Sequence, residues 1–212
     1  MKSQNNLKNL IAVTTATILI SMLICGCIGD KIENNNLNYQ DTNLTKFNKN
    51  IIIVFTNETF DGKWNGKVMT GRMGEQAMDW YADQQNWIKL DDPKSPHSAG
   101  IDGIYKKFVN GNYRYIFVEA KETFSRGDYE TPLPTDASYG PQMSDQWIEH
   151  HVVKIKDPDM LSAFYDGNYE KLVVIYKKKD WHGSTITGEF AESLDSVGIN
   201  DVVIVKKKYE DN

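Results

Sequence analysis

Cysteine is nearly absent from this chain. The only two cysteines, Cys25 and Cys27, lie within the first 27 of 212 residues. The part of the chain that follows them therefore has no disulfide, no thiolate metal site and no cysteine nucleophile. Two other common active-site motifs are also missing from the sequence, because we find neither a serine nucleophile elbow nor a glycine-rich phosphate-binding loop.

Basic charge is scarce as well. The formal net charge is -5, and residues 27–212 carry 22 basic and 29 acidic residues because both lysines of residues 1–26 lie outside that range. Phosphate contacts normally need a basic surface, so this balance counts against extensive nucleic-acid binding. Apolar residues are not scarce: the chain is 40% hydrophobic and 11% aromatic, which predicts a folded core rather than a disordered chain.

The first 26 residues have the layout of an export signal. Lys2 and Lys8 precede an uncharged, mainly apolar stretch over residues 9–29, which is typical of a secretory signal peptide. Residues 23–27, Leu-Ile-Cys-Gly-Cys, resemble a prokaryotic lipobox and so imply a lipoprotein with its lipid attached to Cys27. The alternative is an uncleaved apolar membrane anchor. Both interpretations predict a domain tethered to the cell membrane on its extracytoplasmic side.

The rest of the chain divides into a tether and a globular domain. Residues 27–50 are rich in Asn, Asp, Lys and Thr and poor in apolar residues, which predicts a flexible tether. Residues 51–212 are predicted to fold as one domain. The predicted strands are 51–55, 101–109, 112–121, 171–176 and 201–205, and the predicted helices are 71–87, one starting at 142, 161–165 and 188–197. A long loop is predicted over 122–141. This order of elements predicts a mixed α/β sheet flanked by helices.

Two acidic residues are predicted to face each other across the hairpin. The Asn-Gly dipeptide at 110–111 is a strong signal for a two-residue turn. Folding the chain about that turn places Asp102 opposite Glu119, where like charges about 5 Å apart repel each other. A hard divalent cation such as Mg²⁺, or Mn²⁺ in its place, would relieve that repulsion. Lys121 lies two residues after Glu119 and therefore points to the same face of the sheet.

A structural interpretation of the same residues remains open. Asp102 can simply terminate a strand before Gly103, and Glu119 with Lys121 can form an ordinary solvent-facing pair. The histidines offer little competition as metal ligands. His97 is interpreted as a surface loop residue, and the adjacent His150 and His151 would diverge by about 100° on a helix.

Four segments together resemble the restriction-endonuclease-like, or PD-(D/E)xK, nuclease superfamily, and within it the nuclease domains of secreted bacterial toxins. The first is an early helix that carries an acid, Glu75. The others are Gly-Ile-Asp-Gly at 100–103, Val-Glu-Ala-Lys at 118–121 and Gln-Met-Ser-x-x-Trp at 142–147. They cover roughly residues 71–150. No proline precedes Asp102, which departs from the motif that names the superfamily.

The resemblance implies a restriction-endonuclease-like core and a site for metal-dependent cleavage of phosphodiesters. The implied ligands of Mg²⁺ are two carboxylates and one backbone carbonyl, those of Asp102, Glu119 and Ala120. Lys121 would orient the attacking water and offset charge on the phosphorane. Glu75 would touch this ion or a second one, and Gln142 would help to place water or phosphate. The implied substrate is nucleic acid, with DNA favoured and RNA left open, and a toxin would also have an immunity protein as its partner.

Two other classes of function remain open from the sequence. One is a non-catalytic lipoprotein that binds a ligand or a protein through a surface supplied by its five tryptophans. The other is a degenerate nuclease fold retained as a scaffold, since a fold alone does not fix a function.

Overall fold

A computed structural model of the chain describes residues 50–90, 100–123, 132–135, 138–154, 157–178, 186 and 188–208. The predicted signal segment, Cys27, the tether up to residue 49 and His97 lie outside the described residues. No helix within the described ranges is long and apolar enough to cross a membrane.

The core of the fold is a six-stranded mixed sheet. The strands in chain order are β1 (Asn50–Thr56), β2 (Lys63–Trp64), β3 (Lys67–Val68), β4 (Ile88–Lys89), β5 (Gly103–Val109), β6 (Asn112–Thr123), β7 (Tyr169–Lys177) and β8 (Asp201–Lys207). The helices are α1 (Arg72–Gln84), α2 (Asp145–Val152), α3 (Pro158–Tyr165) and α4 (Gly188–Ser196). The sheet order is β1-β8-β7-β6-β5-β4, and β2 and β3 form a separate two-stranded ribbon.

Four strands of the sheet are parallel. Strands β1, β8, β7 and β6 run in the same direction, whereas β5 runs antiparallel to β6 and β4 antiparallel to β5. Helices cover both faces, which is the usual condition for a parallel sheet. One face packs on α1 through side chains such as Ala77 and Met78. The other packs on α2, α3 and α4 through Ile148, Phe164 and Phe190. The predicted mixed α/β sheet flanked by helices is confirmed.

Most predicted elements are present with shifted ends, and two regions differ. The helix predicted over 71–87 ends at Gln84, because Asn86 takes a left-handed φ of 56° that stops the helix. The residues after it form the unpredicted strand β4. The helix predicted to start at 142 starts at Asp145, after Ser144 caps it by accepting a hydrogen bond from the Trp147 backbone N–H at 3.2 Å. The ribbon of β2 and β3 was also not predicted.

A buried lysine joins two helices to the start of β7. Lys171 Nζ donates to the carbonyl of Val197, just after α4, at 2.6 Å and lies 2.5 Å from Asp145 Oδ1 at the start of α2. The same Asp145 oxygen accepts from the Tyr169 hydroxyl at 2.7 Å. Partial burial raises the pKa of Asp145, but these two hydrogen bonds outweigh it and hold the pKa below its usual value.

We expect Lys171→Met to lower the free energy of unfolding by about 1–3 kcal/mol, because the Val197 carbonyl loses its donor. Chemical denaturation measures the change. Asp145→Asn should cost less at neutral pH, because its side chain is largely exposed. The contribution of Asp145 is present above the pKa of the unfolded aspartate and is lost as the pH falls through its lower folded pKa. A Lys171→Met protein as stable as the wild type would contradict this role.

Candidate active site

The candidate site lies where β6 extends past the start of β5. The hairpin has the predicted register, from Gly103 opposite Val118 to Val109 opposite Asn112. Strand β5 begins at Gly103, whereas β6 continues to Thr123 in register with β7. Asp102 takes the position next to β6 that a longer β5 would occupy, and its Oδ2 accepts from the Ala120 backbone N–H at 2.8 Å.

Lys121 connects a buried acid to a loop amide. Its Nζ lies 2.6 Å from Glu119 Oε1 and 3.3 Å from Gln142 Oε1. The side chains of Lys121 and Glu119 are only 19% and 4% exposed, so this is not the solvent-facing pair that the structural interpretation of the sequence proposed. A carboxylate buried to this degree requires a positive partner. Lys121 supplies that charge, and its side chain remains about one-fifth exposed.

The backbone carbonyl of Ala120 faces the same side as Asp102. The N–H and C=O of a strand residue both point toward the same neighbouring strand. Because the Ala120 N–H donates to Asp102, the carbonyl oxygen of Ala120 is also directed toward the segment that precedes β5. A side-chain carboxylate and a backbone carbonyl are thereby available at the same end of the sheet.

The loop that carries Gln142 is held in an unusual backbone conformation. Tyr139 and Met143 have left-handed φ angles of 78° and 67°, and Gly140 has a φ of 106°. Left-handed conformations of non-glycine residues are costly and persist only where surrounding contacts enforce them. Met143 is fully buried in the core, and the Gln142 N–H donates to the Pro134 carbonyl at 2.8 Å. These contacts fix the loop that brings the Gln142 amide to Lys121.

Helix α1 touches the strand backbone directly at the site. A Cβ added at Gly74 would lie 2.7 Å from the Lys121 carbonyl oxygen and 2.8 Å from its carbonyl carbon. Only glycine permits this approach, because both neighbouring atoms belong to the backbone. The Glu122 carboxylate fixes the start of the same helix, since it accepts from the N–H of Gly71 at 3.0 Å and from that of Met73 at 3.2 Å.

The acid predicted on the early helix has a different partner. Glu75 follows Gly74 on α1 and pairs with Arg72, whose guanidinium lies 5.0 Å from the ring centre of Trp64. Both Glu75 and Arg72 are about one-fifth exposed. Glu75 takes no part in the contacts that join the other predicted site residues, which are Asp102, Glu119, Ala120, Lys121 and Gln142.

The two carboxylates of the site are enough to bind a magnesium ion, although they do not form a cluster of three or more metal-binding side chains. Across the described ranges, no three or more His, Cys, Asp or Glu side chains are grouped to hold a metal ion. Magnesium usually takes only one or two protein carboxylates and completes its octahedron with water and substrate phosphate. Asp102, Glu119 and the Ala120 carbonyl are oxygen donors of the kind that this ion prefers, so the donor set fits.

The adjacent histidines of α2 have other contacts. The His150 ring stacks on Tyr139 with 3.3 Å between ring centres, and His151 Nδ1 lies 2.7 Å from the Trp147 carbonyl oxygen. Burial, followed by the charge of Lys154, lowers the pKa of His150. Both rings therefore contribute to the packing of residues on and around α2.

Two residues that shape the site, Glu122 and Gly74, were not predicted from the sequence. Glu122 gave no signal as a helix cap, because the helix that it caps begins 50 positions earlier in the chain. Gly74 gave no signal either, since a close approach between two backbones leaves no local pattern. The alternation of side chains along β6 could have shown that Glu122 points to the α1 face, opposite Lys121.

Removing the cap on α1 should loosen the site. We expect Glu122→Ala to lower the free energy of unfolding by about 1–2 kcal/mol, because two N–H groups at the helix start lose their acceptor. Glu122→Gln keeps one acceptor oxygen and should lose less. Amide hydrogen exchange over residues 71–76 should accelerate more in the alanine variant. Unchanged exchange there would contradict the assignment of Glu122 as the cap.

Comparison of the chain with protein-family models, with curated proteins and with solved structures finds no match.

Proposed function

We propose that this protein is an exported, membrane-tethered, metal-dependent nuclease with a restriction-endonuclease-like core, and that it cuts DNA in preference to RNA. The observation that carries the proposal is the ammonium of Lys121, which bridges buried Glu119 and Gln142, while the Asp102 carboxylate accepts a hydrogen bond from the backbone of the intervening Ala120. Two acids, a lysine and an amide at one end of a sheet provide the charges that phosphodiester hydrolysis needs.

Each residue has a defined role in the proposed reaction. Asp102, Glu119 and the Ala120 carbonyl would hold Mg²⁺, which supplies Lewis acidity at the phosphate and lowers the pKa of water. Lys121 would orient the attacking water and stabilise the negative charge that develops on the phosphorane. Gln142 would hold Lys121 or a phosphate oxygen in place. The water loses one proton as its oxygen bonds to phosphorus, the bond from phosphorus to one sugar oxygen breaks, and that leaving oxygen takes up a proton.

Glu75 is retained in this proposal in a secondary role. Its pairing with Arg72 at the start of α1 suits an acid that approaches the site once substrate phosphate competes for the guanidinium. A second ion would then have Glu75 as its ligand. Replacement of Glu75 should therefore reduce cleavage less than replacement of Asp102 or Glu119.

The membrane part of the proposal rests on the sequence. The charge-free stretch over 9–29 and the lipobox-like Leu-Ile-Cys-Gly-Cys at 23–27 support lipid attachment at Cys27, with an uncleaved anchor as the alternative. Either arrangement would hold the domain outside the cell membrane, where foreign nucleic acid is its substrate. An immunity protein would be an additional partner if the protein acts as a toxin.

A specific observation favours a second candidate function, a lipoprotein that binds a polar ligand. An open cavity of about 620 Å³ lies at the other end of the sheet and is lined by polar side chains that include Asp145, Tyr169, Lys171 and Asn200. The acidic balance of the domain suits this alternative better than it suits a nuclease. The candidate nuclease site would then be a degenerate one.

Cleavage assays separate these candidates. The purified full chain in detergent is incubated with supercoiled plasmid or structured RNA, with Mg²⁺ or with EDTA, beside Asp102→Ala and Lys121→Ala. We expect metal-dependent cleavage, faster on DNA, that both variants lose. A folded wild-type protein that cuts neither substrate with Mg²⁺ or Mn²⁺ would contradict the nuclease proposal and favour the ligand-binding lipoprotein.

A further inference from the structure

The tip of the hairpin formed by β5 and β6 combines exposed apolar side chains with half-buried basic ones. We call residues Lys106–Arg114 the hairpin tip. Phe108 and Tyr113 face each other across it with 5.3 Å between ring centres, and they are 67% and 44% exposed. Val109 is exposed beside them, and Ile88 is exposed on the adjoining strand β4. These four side chains belong to neither cluster of buried core residues.

The charge of the hairpin is opposite to that of the protein. Residues 103–118 contain Lys106, Lys107 and Arg114 and no acid, whereas the whole chain has a net charge of -5. Lys106 Nζ lies 4.9 Å from the ring centre of Tyr113, so the aromatic and basic groups form one surface. Lys107 and Arg114 share a single acid, Glu170. The tip therefore keeps an excess of positive charge.

Strand β1, which follows the predicted tether in the sequence, begins at the same end of the sheet as this tip. Asn50 begins β1 opposite Asp201, which begins β8, and β7 begins with Tyr169 opposite Tyr115 of β6. The hairpin tip projects past Tyr115 at that end. The candidate active site lies at the other end of β6, about 20 Å away, since six residues separate Tyr113 from Glu119 at roughly 3.3 Å each.

We propose that the hairpin tip docks on the anionic surface of the membrane to which the chain is tethered. This inference rests on the tether of the proposed function, but not on the nuclease activity. Aromatic side chains favour the interfacial region of a bilayer, and lysines extend their charged ends toward lipid headgroups. Docking through this end directs the candidate active site away from the membrane, where a bulky polyanionic substrate can reach it.

Vesicles that differ only in charge test the docking. The full chain is reconstituted into phosphatidylcholine vesicles with or without about one third phosphatidylglycerol, and solvent-accessible lysine amines are labelled with a membrane-impermeant acylating reagent. We expect labelling of Lys106 and Lys107 to slow about fivefold when anionic lipid is present. Lys67 in β3, at the other end of the sheet, serves as the internal control and should label equally in both vesicles.

Matched variants assign the effect to the tip. Phe108→Ser combined with Val109→Ser should restore lysine labelling in anionic vesicles, because the apolar contacts that hold the tip at the interface are lost. Val68→Ser removes an apolar side chain that is also 67% exposed but lies on β3, so it should leave the protection unchanged. Equal labelling of Lys106 and Lys107 in both kinds of vesicle would overturn the proposal.

Further outcomes separate the docking from the tether and from other occupants. Flotation with neutral vesicles reports the tether alone, and a chain that floats with neither kind of vesicle contradicts both the tether and the docking. Protection that needs an added oligonucleotide rather than anionic lipid would assign the tip to substrate. Protection that grows with protein concentration in detergent would assign it to a second copy of the chain. Either result overturns membrane docking.

Discussion

Replacing Lys121 by methionine will reduce the rate of Mg²⁺-dependent cleavage by about two to three orders of magnitude, the usual cost of losing one group that stabilises transition-state charge. Methionine keeps most of the length of the side chain, so Gln142 and the loop before α2 should stay in place. Single-turnover rates on plasmid DNA measure the loss, with protein in excess so that substrate binding is saturated.

The same variant makes a second, independent prediction about stability. Removing one partner of a buried ion pair costs about 3–5 kcal/mol, and Lys121→Met leaves the buried Glu119 carboxylate without its ammonium. A bound cation would replace that lost charge, so Mg²⁺ should raise the melting temperature of Lys121→Met more than that of the wild type. A purely structural ion pair predicts the same loss of stability but no rescue by the metal.

Lys171→Met is the matched control. Lys171 is also a buried lysine with a carboxylate partner, and it lies on the same face of the sheet at the opposite end, in β7. This variant should lose stability, show no added rescue by Mg²⁺ and cleave at the wild-type rate once folded. Equal loss of cleavage in both lysine variants would show that the effect comes from stability rather than from the site.

Replacing Gly74 by alanine will slow cleavage by about a hundredfold, because a displacement of roughly 1 Å at a catalytic group can have that effect. The new Cβ would lie 2.7 Å from the Lys121 carbonyl oxygen, so helix and strand must move apart at the residue that carries the ammonium. Overpacking costs about 1–3 kcal/mol, and the better helix propensity of alanine offsets up to about 1 kcal/mol of it.

Ala77→Gly separates displacement from simple loss of stability. Ala77 is fully buried on the same helix, one turn further along, and its replacement lowers helix stability by about 1 kcal/mol without inserting an atom. We expect Ala77→Gly to keep most of its cleavage rate while Gly74→Ala loses it. Wild-type cleavage by Gly74→Ala would show that the contact between α1 and β6 does not position Lys121.

Local patterns were sufficient to predict the hairpin and the residues that meet near its base. The Asn-Gly turn at 110–111 fixes the register, and alternation along β6 then places Glu119 and Lys121 on one face, as the structure has them. Ser144 was predictable as a helix cap for the same reason, because a cap depends on residues only three positions away.

The features that the sequence did not predict depend on distant contacts. The pairing of β1 with β8 joins Asn50 to Asp201. No local sequence pattern indicates which distant strand a given strand will pair with. The end of α1 was missed because the spacing of Trp87 continues the apolar pattern, whereas the left-handed Asn86 stops the helix. The burial of Glu119 is also a tertiary effect, since the same Glu-x-Lys sequence suits an exposed strand equally well.

Titration of the full chain with Mn²⁺, followed by electron paramagnetic resonance of the free ion, tests the central claim most directly. The matched variants are Glu119→Gln, Asp102→Asn and Glu170→Gln, the last being an ion-paired glutamate at the hairpin end of the sheet. We predict a bound ion in the wild type and in Glu170→Gln, and affinity at least about tenfold weaker in the other two, in line with the loss of a ligand. A folded wild-type protein that binds no Mn²⁺, or binds it equally in all four proteins, would contradict the claim that Asp102 and Glu119 form a metal site.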